Sequence, residues 1–170
     1  GQHEMKVLYA GCEDMGSGKV FRADAESFHN EQWELELPDG RIITGEDGKL
    51  PCPEEYLGYD FYGKLLYRTQ TAFADKLPVL LDLGKVSDCC EITLNGKKLG
   101  KRMASPYIFD VKGKIDTGEN SLEIEVYTSA LNVKNDKAIF GIPLDCLTAL
   151  PYSLVEPMGI RGKVNWLFEK

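Results

Sequence analysis

Apolar residues recur at every second position through most of this chain, the spacing of a strand with one face buried and one face wet. Trp33, Leu35 and Leu37 alternate with Glu34 and Glu36, and the turn Pro38-Asp39-Gly40 leads into a hairpin partner around Ile42 and Ile43. Leu65, Tyr67, Thr69 and Thr71 continue the pattern, and Val79, Leu81 and Leu83 follow the break Lys76-Leu77-Pro78. Cys90, Ile92 and Leu94 share a face up to Asn95-Gly96, a dipeptide that tolerates positive φ at both positions and so signals a tight hairpin. Tyr107, Phe109 and Val111 make the next inward row. After the turn at Gly118-Glu119-Asn120, Leu122, Ile124 and Val126 alternate with Glu123, Glu125 and Tyr127, and a final strand is expected over 163–168. No long amphipathic helix interrupts the series, so the pattern predicts an all-β sandwich or barrel rather than an α/β layout.

If consecutive strands run antiparallel, their connections alternate between the two ends of the sandwich. The short turns at 75–78, 95–96 and 116–120 then fall at one end, called B. The longer connections at 50–63, 84–88, 100–106 and 128–161 fall at the other, called A. A cluster of long loops on one end of a rigid scaffold is where a sandwich presents a binding site.

The 170 residues fit one domain, 1–170, and 20 basic against 27 acidic side chains leave a net charge of −7. That balance argues against affinity built on neutralising phosphates, so neither nucleic acid nor an anionic membrane is an expected partner. No stretch approaches the roughly 20 apolar residues of a spanning helix. The chain starts at Gly1 without an initiating Met, so a piece of a longer protein is expected.

Motifs for common chemistries fail on spacing. In Gly11-Cys12-Glu13-Asp14-Met15-Gly16-Ser17-Gly18-Lys19-Val20 the first glycine of a phosphate loop would fall on Glu13, and Val20 replaces the magnesium-binding hydroxyl, so the stretch reads as a turn. There is no nucleophile elbow, and His3 and His29 lack a partner pattern for Ser/His/Asp chemistry. Cys12, Cys52, Cys89, Cys90 and Cys146 are an odd number without a C-x-x-C pair, which marks neither a zinc site nor a disulfide framework. The acids Glu34, Glu36, Glu123 and Glu125 alternate outward and read as a solvated sheet face.

The second half carries an ordered set of motifs. These are Leu80-Leu81-Asp82-Leu83-Gly84, Glu91-Ile92-Thr93-Leu94-Asn95-Gly96-Lys97, Ser105-Pro106-Tyr107-Ile108-Phe109-Asp110-Val111, Gly118-Glu119-Asn120-Ser121-Leu122, Ala130-Leu131-Asn132 and Met158-Gly159-Ile160-Arg161-Gly162-Lys163-Val164. This set, covering about half the chain, resembles the sugar-binding-type jelly-roll domain of glycoside hydrolase family 2. It resembles more closely the C-terminal jelly-roll domain of bacterial family 106 α-L-rhamnosidase-like proteins. The resemblance implies a galactose-binding-domain-like jelly-roll β-sandwich that accompanies a catalytic domain and carries no catalytic residues of its own. It also implies a periplasmic or secreted parent. The loop Lys101-Arg102-Met103-Ala104-Ser105 departs from the pattern, with no tryptophan where many relatives have one.

Sugar recognition needs an aromatic face for the ring C–H groups and a few polar side chains for the hydroxyls. End A offers Tyr56, Tyr59, Asp60 and Tyr62 in one loop, Asp88 and Arg102 in two others, and Asn132, Tyr152 and Arg161 in or beside the longest. The expected partners are therefore a carbohydrate, or the parent's own catalytic domain. The tail Val164-Asn165-Trp166-Leu167-Phe168 is apolar on both faces, as a strand covered by something outside this sequence would be. No organic cofactor is implied. Sandwiches of this fold often hold a structural calcium on loop oxygens, which Asp24-Ala25-Glu26-Ser27 or the loop near Asp60 would supply without EF-hand spacing.

Overall fold

A computed structural model describes residues 5–9, 19–27, 31–46, 49–58, 61–128 and 157–169. Two antiparallel sheets face each other, the all-β sandwich that the period-two pattern predicts. Sheet A has the order β1 (Met5–Tyr9), β2 (Lys19–Ser27), β11 (Asn165–Glu169), β6 (Leu80–Asp82), β9 (Ile108–Asp110). Sheet B runs β4 (Ile42–Thr44), β3 (Glu34–Glu36), β5 (Gly63–Phe73), β10 (Gly118–Thr128), β7 (Cys89–Leu94), β8 (Lys97–Arg102). One four-residue helix, α1 (Glu54–Leu57), lies between β4 and β5.

The rows expected to face inward do so. Leu35, Leu37, Leu65, Tyr67, Cys90, Ile92, Leu94, Leu122, Ile124 and Val126 of sheet B meet Leu81, Leu83, Phe109, Val111, Trp166 and Phe168 in one buried cluster. Phe73 closes its B end, edge-on to Trp166 with ring centroids 5.4 Å apart. The hairpin at Asn95 and Gly96 has φ of 50° and 73°, the left-handed pair that its sequence favours. The outward face of sheet B is charged. Arg68 bridges Glu36 and Glu123 across three strands, and Lys64 pairs with Glu125, whose other oxygen accepts the Tyr127 hydroxyl at 2.6 Å. That last bond holds the pKa of the Tyr127 phenol up at about 12. Lysines 97, 98 and 101 line β8, an edge strand, where charge discourages pairing with another chain.

Three expectations fail here. Val79 does not join the inward row of Leu81 and Leu83. It packs with Leu80, Ile108 and Leu167 in a second cluster on the opposite face of sheet A. That cluster also accounts for the two-sided apolar tail: Leu167 is 0% exposed within this chain, so β11 is covered on both faces by the chain itself rather than by an outside partner. The third correction is topological. β3 is antiparallel to both β4 and β5, so β4 and β5 run the same way, and residues 45–62 cross from end B to end A instead of staying at end A. The connections 84–88 and 100–106 do fall at end A, and β10 ends and β11 begins at that same end, as the registers of β6, β7, β8, β9, β10 and β11 require; residues 129–156 between them lie outside the described residues.

The two cysteines of β7 follow the pleat. Cys90 points inward and is fully buried, while its neighbour Cys89 is partly exposed. Burial, with Cys89 beside it, pushes the Cys90 thiol up to about 12, so almost none is thiolate near neutral pH. Iodoacetamide on the native chain at mildly alkaline pH is expected to alkylate Cys89 and leave Cys90 unmodified until denaturant is added, as site-resolved mass spectrometry would read. Equal rates at the two positions in the native chain would show that β7 does not hold this register.

Candidate functional site

End A is built where the crossover meets the segment before β11. Pro53 caps α1 with a fixed φ of −63°, and the single helical turn closes through Leu57 N–H to Pro53 O (3.0 Å) and Gly58 N–H to Glu54 O (3.0 Å). This turn delivers Glu54 into the protein. Its carboxylate accepts the Met158 amide at 2.7 Å and forms an ion pair with Arg161, and the side chain is almost wholly buried. Arg161 also lies 3.9 Å from the Cys52 sulfur, and its backbone N–H donates to Lys85 O at 2.7 Å. A buried carboxylate would be expensive alone, and a guanidinium plus a backbone amide are the partners that offset its desolvation.

The 84–88 loop is stitched to the same place. Val86 forms an isolated antiparallel bridge with Ile160, Ser87 N–H donates to Gly159 O at 3.0 Å, and Gly159 N–H donates to the Ser87 hydroxyl at 2.7 Å. Gly159 has φ of +81°, and a methyl group there would overlap the Tyr67 hydroxyl and sit 3.1 Å from Pro53 Cγ. Gly162 is as tightly held, because a Cβ would lie 2.6 Å from Lys85 N and 2.8 Å from Gly84 Cα. The two glycines of the Met158 to Val164 motif are therefore explained by close approach of backbone to backbone and to Tyr67. Burial raises the Tyr67 phenol far above its ordinary range, the neighbouring Cys52 adds to the rise, and the Ile160 backbone opposes it.

The structure divides the expected binding residues into three groups. Tyr56 on α1 and Tyr62 just before β5 expose their rings, at 41% and 62%, so these two remain open to a ligand. The arginines have partners within the chain: Arg161, still exposed, pairs with Glu54, and Arg102 lies over the Phe109 ring at 5.1 Å, closing the gap between the edge strands β8 and β9. Asp88 takes a left-handed backbone, φ 59°, and its carbonyl accepts the Tyr107 hydroxyl at 2.5 Å, which makes its turn a structural corner. Tyr59, Asp60, Asn132 and Tyr152 lie outside the described residues.

Sequence reasoning missed Glu54, which sat among 27 acids with no periodic row to single it out. The signal available was local, an acid directly after the punctuation Pro51-Cys52-Pro53, where a helical turn starts and an inward carboxylate has a fixed direction. Of the calcium candidates, Asp24 and Glu26 lie on β2 in register with Phe168 and Trp166, a strand rather than a ligand loop, and Asp60 lies outside the described residues. Among the described residues no three His, Cys, Asp or Glu side chains gather as a metal site would need. The glycine-rich stretch 11–18 also lies outside the described residues, and Lys19 and Val20 begin β2.

No protein-family model matches the chain. Over 125 residues it is 46% identical to a putative beta-glucuronidase of Formosa agariphila, a match that covers 65% of this chain and 11% of that protein. Among solved structures, a rhamnosidase from Novosphingobium sp. PP1Y superposes with a TM-score of 0.65 at 21% identity, over 95% of this chain and 16% of the rhamnosidase. A Lactobacillus rhamnosus beta-glucuronidase does so with a TM-score of 0.59 at 13% identity, over 97% of this chain and 30% of that one. The chain thus spans about a ninth of the curated relative, and its fold is one that occurs as a part of glycoside hydrolase chains.

Proposed function

We propose that this chain is a non-catalytic accessory domain of a glycoside hydrolase, of the galactose-binding-like jelly-roll type, and that it meets carbohydrate through the exposed aromatic rings of end A. The observation that carries the reading is the 46% identity to a stretch that makes up only 11% of a putative beta-glucuronidase. The chemistry of end A is in keeping with it. Glu54, the one buried carboxylate among the described residues, is committed to Arg161 and the Met158 amide, an arrangement that fastens loops rather than one that shuttles a proton. Tyr56 and Tyr62 supply flat, half-apolar surfaces of the kind that stack on a sugar ring.

The test is calorimetric titration of the chain with mono- and oligosaccharides that include rhamnose, galactose and glucuronate, run beside Tyr62→Ala, together with nitrophenyl glycosides of the same sugars. Saturable heat that weakens about tenfold in the variant, the loss of one stacked ring, is the expected result. No nitrophenol should be released above buffer, and release by this chain would overturn the non-catalytic reading. A second reading has its own support. Met103, 78% exposed at the end of β8, is a large apolar side chain offered to a neighbour, as docking on the parent's catalytic domain would require. Silence across the sugar panel up to millimolar concentration would favour that docking role.

A further inference from the structure

Three segments distant in sequence meet at end A, and 157–162 is bonded to both of the others. Segment 51–58 reaches 157–162 through the Glu54 carboxylate, which binds a backbone amide 104 residues away and the Arg161 guanidinium. Segment 157–162 reaches 84–88 through the Val86 and Ile160 bridge, the paired Ser87 and Gly159 bonds, and Arg161 N–H to Lys85 O. Arg161 is common to both sets: its side chain grips α1 and its backbone grips the 84–88 loop. None of the three belongs to the long ladders of β5, β10 and β7, so their bonds can open without opening the sandwich.

We infer that segments 51–58, 84–88 and 157–162 open and close as one cooperative unit, with the Glu54–Arg161 ion pair as its clasp. The physical reason is that the buried carboxylate has no cheap half-open state. Withdrawing Arg161 leaves the buried Glu54 carboxylate with only the Met158 amide to offset its charge, so α1 leaves with it, and α1 carries Tyr56. Once α1 leaves, Gly159 loses Pro53 from its flank, and the register of Ile160 against Val86 loses its support. The clasp holds end A in this way whether or not end A binds a sugar.

Hydrogen exchange on the whole chain tests it, with Glu54→Gln as the principal variant because it keeps the size of the side chain and an acceptor for Met158 while removing the ion pair. The expected result is that the amides of Leu57, Gly58, Ser87, Gly159 and Arg161 all exchange faster together, roughly a hundredfold. None of these amides bonds to the Glu54 side chain, so only a shared opening would move them. Amides in the β5 and β10 ladder should keep their native protection. The inference is overturned if faster exchange is confined to Met158, if one segment loosens without the other two, or if β5 and β10 loosen equally. Arg161→Lys, which keeps the charge but not the fork of donors, should give a smaller rise over the same set of amides.

Discussion

Gly159→Ala is expected to destabilise the chain by about 2–5 kcal/mol, the sum of a left-handed backbone that now carries a Cβ and of overpacking against a side chain that cannot retreat. The new methyl group would meet the Tyr67 hydroxyl, which is fixed in the middle of β5 with Leu35 and Ile124 in register beside it. For a chain of this size the loss corresponds to a fall in Tm of roughly 5–15 °C. Gly40 separates the two terms. Its φ of +84° nearly equals that of Gly159, yet a Cβ there meets nothing within 4 Å, so Gly40→Ala should cost only the backbone part. Tyr67→Phe, introduced together with Gly159→Ala, should recover most of the remainder by removing the oxygen in the way. If Gly159→Ala melts with the wild type, the segment before β11 does not lie against Tyr67.

Asn120→Ala is the second large effect, expected at about 3–4 kcal/mol from the loss of a fully bonded buried amide. Asn120 is 1% exposed and organises end B. Its oxygen accepts from Asn95 Nδ2 at 2.8 Å and from Asp116 N–H at 2.9 Å, and its nitrogen donates to the carbonyls of Asp116 and Gly118 at 2.8 and 2.9 Å. Asn95 in turn accepts the Ser121 amide at 2.9 Å, so the amide links the β7–β8 hairpin to the start of β10. Asn120→Asp keeps both accepted bonds but turns a carboxylate oxygen toward two carbonyls. That environment raises the carboxyl's folded pKa above its unfolded value, so the native state binds the proton more tightly. The deficit of the Asp variant should therefore shrink as pH falls through that raised pKa and be largest at neutral pH. Denaturant titrations across pH read this directly, and a deficit that grows on acidification would contradict the bonding described.

The inward rows were legible because a pleated strand puts every second side chain on one face, and burial on that face forces the alternation into the sequence. Cys90, Ile92 and Leu94 needed no more than counting, nor did Leu122, Ile124 and Val126. Asn95-Gly96 was legible because few residue pairs accept two positive φ angles. Strand order is different, since nothing in Ile42, Ile43 or Leu65 states that β3 lies between β4 and β5, and the crossover that follows from that order was misplaced. Leu80 and Val79 were hard for a related reason: a strand buried on both faces loses its alternation, and the choice of inward row becomes arbitrary. At the candidate site, exposure of Tyr56 and Tyr62 follows their expected place in a connection. The inward turn of Arg161 was not legible, because the same residue type serves a ligand on the surface or a buried carboxylate, and only the position of Glu54 decides between them.

The position of β11 bears on how the chain is made. Sheet B is drawn entirely from residues 34–128, whereas sheet A holds its last strand in the middle, between β2 and β6. On a ribosome sheet B can finish while β1–β2 and β6–β9 are still two separate ribbons, and its apolar face stays open for as long as about forty more residues take to emerge. Lysines on β8 are in place throughout that interval, and charge of this kind disfavours strand pairing at that edge of the half-built sandwich.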